Sequence, residues 1–156
     1  MEVSTEIAKH FRQVFFGGNW TSVNLKDTLA DVNWQQATAQ VRDCNTIATL
    51  FYHINYYVSV TLKVLEGGAL VGNDTISFDH PPIRSQQDWD NMLNNAWHEA
   101  ESFAALIEQL PDSKLREQFT DEKYGTYYRN LQGIIEHTHY HLGQIVIIKK
   151  ILAQSA

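Results

Sequence analysis

The sequence predicts an all-α protein built as a four-helix bundle with a long connection between the second and third helices. Three observations predict it. Apolar residues recur at steps of three and four in four separate stretches, the helical period. No segment alternates apolar and polar residues for long enough to build a sheet. Glycine and proline crowd residues 67 to 85, through which no helix persists.

The first helix is predicted over Val3 to Phe16, where Ile7, Phe11, Val14 and Phe15 share one face and Gly17-Gly18 supplies the stop. Residues 19 to 31 read as a loop with one helical turn, after which Asn33 can cap a helix with Gln36 reaching back to it. That second helix is predicted from Trp34 to Glu66. At ~1.5 Å per residue it spans nearly 50 Å, so its first turns are expected to be a separate or kinked piece. In the connection that follows, Ala69 to Phe78 reads as a short extended piece. The third helix covers Asp88 to Leu110 and is ended by Pro111, and the fourth covers Thr126 to Ala153. The whole chain, 1–156, is expected to be one domain.

Composition narrows the function. Lys and Arg number 12 against 18 Asp and Glu, a net charge of −6, so no basic face is available for a nucleic-acid backbone. No apolar run approaches the ~20 residues that span a bilayer, and the acidic start at Met1 to Glu6 is unlike a signal peptide, so a cytoplasmic protein with no membrane partner is expected. Cys44 is the single cysteine and reads as a small apolar core residue. Any metal must therefore be held by histidine and carboxylate.

Three of the seven histidines fall within six residues, Glu136-His137-Thr138-His139-Tyr140-His141. At about 100° per residue His137 and His141 stand one turn apart on the face that also carries Ile134, Ile145 and Ile148, whereas His139 points roughly 160° away. On the second helix Leu50, His53, Tyr57, Val60 and Val64 make another inward line. Three inward imidazoles on two helices form a candidate open metal site at His53, His137 and His141. The plainer alternative is a set of core histidines hydrogen-bonded to backbone. His10, His80 and His98 have no such partners in the pattern and read as surface or loop residues.

The run Gly133 to Ile145, with His137, Tyr140, His141, Gly143 and Gln144 in place, resembles the HxxYHxGQI helix of the DinB-like family. Residues 51 to 57 resemble that family's earlier histidine helix, and Trp20 to Leu29 its preceding loop and short helix. The resemblance implies an antiparallel four-helix bundle and a divalent metal, zinc or nickel, on His53, His137 and His141. It also implies a small-molecule substrate, with a low-molecular-weight thiol as one class, and a homodimer. YfiT-like metal-dependent hydrolases and thiol S-transferases both occur in the family, so the reaction stays open.

Neighbours of the three histidines are candidates to line the same cavity. Tyr57 reads as an acid or substrate contact, or as an ordinary core tyrosine; Thr49 flanks His53 on the other side. Gln144 either orients a metal-bound water or bonds a neighbouring helix. Gly133 leaves room for substrate or lets two helices approach, and Arg129 either attracts an anionic substrate or forms a surface ion pair. Gly143 costs the helix about 1 kcal/mol, which suggests a packing or site requirement. No carboxylate is placed by spacing as a general base; Glu136 faces elsewhere. Two functions remain in contention: a metal-dependent transferase or hydrolase, and a non-catalytic dimeric bundle whose histidine site is structural, sensory or vestigial.

Overall fold

In the computed structural model residues 2–154 are described, and among them seven α-helices form and no strand does. Met1, Ser155 and Ala156, the ends of the expected 1–156 unit, lie outside the described residues. Helix α1 (Val3–Phe16) has no cap of its own; the Asp112 carboxylate accepts from the backbone N–H groups of Val3 and Ser4, satisfying two orphan donors of the first turn. Helix α2 (Leu25–Leu29) is capped by Asn24, and α3 (Trp34–Thr38) by the expected Asn33/Gln36 capping box.

The long second helix is two pieces. The chain leaves α3 at Ala39, where ψ is 128°, passes through a left-handed Arg42 at φ 49°, and re-enters a helix only at Thr46, whose hydroxyl caps α4 (Ile47–Leu65) by accepting from the Thr49 N–H. Cys44 lies in this break and is exposed, not a core residue. Helix α4 ends where Gly67 takes φ 90°, and a Cβ on Gly68 would sit 2.9 Å from the Lys63 carbonyl oxygen, so both positions call for glycine.

The connection from 66 to 85 holds a 3₁₀ turn at Asp74–Ile76 in place of the expected extended piece. Ser85 caps α5 (Gln86–Glu108), α6 is the short Asp112–Leu115, and α7 runs from Tyr127 to Gln154.

Each of the four long helices packs on two others: α1 on α5 and α7, and α4 on α5 and α7. Helices α1 and α5 run antiparallel, with Phe11 on Phe103 and Phe15 on Trp97, and so do α4 and α7, with His53 near His141 and Tyr57 near His137. Helices α4 and α5 run the same way: Phe51 meets Trp89 and Trp97, and farther along Asn55 and Ser59 meet Glu99. A chain leaving the end of α4 must therefore travel back the length of the bundle before α5 can start, which is why the crossover is long.

Much of the aromatic content fills the core. Phe11, Phe15, Phe51, Trp89 and Phe103 are fully buried, and the Trp89 indole N–H is satisfied by the Val32 carbonyl at 2.9 Å. At roughly 1.5–3 kcal/mol for each large apolar side chain, this cluster fixes how the helices sit and hence the α4–α7 seam where the histidines lie. No helix among the described residues is long and apolar enough to cross a membrane.

Candidate metal centre

The inward lines on α4 and α7 meet at three imidazoles. His53 and His141 are buried and His137 is half-buried; one ring nitrogen from each lies within 4.8 Å of the other two. His53 Nε2 and His137 Nε2 are 3.0 Å apart, and the ring centroids of the three pairs are separated by 4.8, 4.8 and 4.5 Å. Nitrogens bound at ~2.1 Å to one tetrahedral ion stand about 3.4 Å apart, so small ring rotations bring all three to a common centre. The cluster is compatible with a metal ion.

Hydrogen bonds set which nitrogen of each ring is free. Ser77 Oγ donates to the Asp74 carbonyl oxygen at 2.7 Å, so toward His53 Nδ1, 2.9 Å away, it acts as acceptor. His53 therefore carries its proton on Nδ1 and leaves the Nε2 lone pair facing the cluster. The Gln144 side-chain oxygen does the same for His141 Nδ1 at 2.6 Å. His137 Nδ1 is buried without a partner, and only its Nε2 faces another polar group.

Electrostatics keep the rings neutral. Burial, followed by the neighbouring His141 and His53, lowers the His137 pKa to about 4. His53 is lowered by burial and by His141, and His141 by burial. Three neutral imidazoles with lone pairs converging are the protonation state that a cation needs.

The crossover supplies a roof that sequence spacing did not reveal. Phe78 stacks on the His53 ring at 3.7 Å between centroids and an interplanar angle of 11°, and Ser77 is fully buried beneath it. One turn earlier, Asp74 accepts a hydrogen bond from the Tyr57 hydroxyl, while the Tyr57 ring lies edge-on to both His53 (5.2 Å) and His137 (4.9 Å). Asp74 is thus a carboxylate beside the cluster, which helical spacing had not supplied. No period in the 67–85 segment points to Asp74, Ser77 or Phe78; the polar triplet after Gly72 is the sole local signal.

The remaining candidates divide. Gln144 and Tyr57 touch the histidines as described. Thr49 does not: its hydroxyl is 2.8 Å from that of Thr46 and belongs to the cap of α4. Gly133 and Arg129 line a groove of about 330 Å³ with Tyr57 and His137, and Glu136, expected to face elsewhere, is exposed and lines the same groove. A Cβ at Gly133 would meet nothing within 4 Å, so the residue leaves open space and does not serve a close helix approach. Arg129 donates to the Tyr124 carbonyl oxygen at 2.8 Å and forms no ion pair among the described residues. Gly143 borders a second groove, of about 520 Å³, with Cys44, Tyr140 and Gln144. His10, expected to be unaccompanied, faces His139 on the outer side of α7 at 6.1 Å between centroids.

No curated protein and no solved structure gives a significant match to the chain. A family description does: that of the DinB superfamily matches residues 20–145, from the loop before α2 to the isoleucine that follows Gln144. The matched stretch holds α4, the crossover and the histidine turns of α7, so the three imidazoles and their setting fall inside it, and the chain belongs to the DinB superfamily.

Proposed function

We propose that this protein is a metal-dependent enzyme, a thiol S-transferase or a hydrolase, with His53, His137 and His141 holding one divalent ion, zinc or nickel. The observation that carries the reading is the pair of hydrogen bonds, from His53 Nδ1–H to Ser77 and from His141 Nδ1–H to Gln144, that fix both Nδ1 protons and leave both Nε2 lone pairs free. Histidines that merely fill a core need no such matched orientation; ligands do. When bound, the ion supplies Lewis-acid chemistry that serves either reaction.

The chain's own groups then have distinct tasks. Phe78 covers one face of His53 and keeps water from it. The Tyr57 hydroxyl and Asp74 carboxylate form a hydrogen-bonded pair at the edge of the cluster, placed to receive a proton from an incoming nucleophile, water or thiol. The groove beside Gly133 gives a small substrate access to His137, with Arg129 at its rim to draw in an anionic one.

The test is elemental analysis of untagged protein followed by turnover assays. Stoichiometric zinc or nickel, together with thiol-transfer or hydrolytic activity that chelation removes, is the expected result. Metal-free protein that is fully folded, and inactive with zinc or nickel added back, overturns the reading. Bound metal that raises the melting temperature while no substrate turns over favours the non-catalytic staple instead.

A further inference from the structure

A third cleft lies on the other flank of α4. It runs between α4 and α5, is walled by Pro81, Pro82 and Ile83 of the crossover, and encloses about 400 Å³, within the range of small-ligand sites, roughly 300–1,000 Å³. Residues 52, 55 and 56 of α4 face it, whereas 53 and 57 face α7, so the cleft shares no histidine with the candidate metal centre.

Its chemistry is one-sided. Glu99 Oε2 accepts from the Asn55 amide at 2.7 Å and Oε1 from the Ser59 hydroxyl at 3.3 Å, yet Glu99 forms no ion pair among the described residues. The Asn55 side-chain oxygen, in the same wall, is buried with no donor. The Tyr52 and Tyr56 rings stand side by side at 6.4 Å. Among the described residues no lysine or arginine lines the cleft. A carboxylate without a counter-ion and two aromatic rings repel an anion and leave a neutral apolar ligand beside an unpaired charge. All of them suit a cation carrying N–H donors on a carbon frame.

We infer that the α4–α5 cleft binds a small organic cation, a primary ammonium compound, with Glu99 as its counter-ion and the rings of Tyr52 and Tyr56 against its carbon frame.

The experiment titrates the full chain with benzylammonium chloride, and in parallel with benzyl alcohol and sodium benzoate, following the side-chain amide NMR signals of Asn55 and Asn95. Saturable shifts with benzylammonium alone are expected. Glu99→Gln should weaken them at least about tenfold, the cost of losing a charge-assisted partner. Asn95→Lys, at an exposed position on the rim where folding is not at stake, should weaken them likewise by placing a like charge there. His137→Ala should leave the binding unchanged, which separates this site from the metal centre. Absence of saturation, equal binding of benzyl alcohol, indifference to both charge variants, or loss of binding in His137→Ala each overturns the inference.

Discussion

Helix α7 carries histidines on two opposite sides, and the two sides differ in how their rings are held. Inward, His137 and His141 meet His53 under a roof, and two of the three rings have a partner on Nδ1. Outward, His139 meets His10 at 6.1 Å with rings tilted 48°, and among the described residues neither ring is oriented by a hydrogen bond of the kind that holds His53 and His141. Burial and His10 lower the His139 pKa, so closeness to a second imidazole and a lowered pKa are found on both sides of α7. What separates them is orientation by neighbours. Proximity of imidazoles is cheap to produce on a bundle surface; fixing the tautomer of two of the three rings requires partners placed for it, here Ser77 of the crossover and Gln144 of the next turn of α7.

The sharpest way to break that contrast is to remove an inward ring. His137→Ala should strip the bound metal from purified protein, read by elemental analysis, while the far-ultraviolet circular dichroism stays helical. Retention of stoichiometric metal would refute the assignment of His137.

Next in size are the orienting partners. Ser77→Ala and Gln144→Leu should each weaken metal binding about 10- to 100-fold in a chelator-competition titration, with the three ligands untouched. If affinity is unchanged, the hydrogen bonds do not position the rings.

Acid sharpens the contrast further. In chelator-stripped protein the folded-state pKa of His137, about 4, lies below its ordinary 6.5, so the unfolded chain takes up the proton first. The stability this neutral ring carries is complete above pH 6.5, declines as pH falls through the window, and has no further to go below about 4. Allowing for solvent access to a half-buried ring, the loss is about 1–2 kcal/mol. Urea midpoints measured across that range should fall in the native chain and stay flatter in His137→Ala.

The smallest effect belongs to the outer pair. His10→Ala and His139→Ala should leave metal content as it was and shift stability by no more than about 0.5 kcal/mol. A loss of bound metal in either variant would erase the distinction between the two sides of the helix.

The features that were legible in the sequence are those with a period. Spacing alone brought His53, His137 and His141 to one place, because inward positions on α4 and α7 repeat every three or four residues and the core fixes the seam. The break between α3 and α4 was only half visible: Arg42 adopts a left-handed conformation with no glycine or proline to announce it, and Cys44, read as a core residue, sits exposed as a result. Gln144 stood out by its position three residues after His141, but a spacing does not say that the partner is His141 itself. Asp74, Ser77 and Phe78 were out of reach, since a crossover obeys no repeat and its path is set by where α4 ends and α5 must begin.

That path has a consequence for how such proteins diversify. Because α4 and α5 point the same way, the chain has to climb back along the bundle, and its ascent carries Asp74, Ser77 and Phe78 over His53. Val71, 76% exposed, marks a stretch of that ascent which packs on little. Residues inserted or deleted there would reshape the ceiling above the imidazoles while the aromatic interior stayed as it is, so the surroundings of the imidazoles and fold stability can be altered independently of one another.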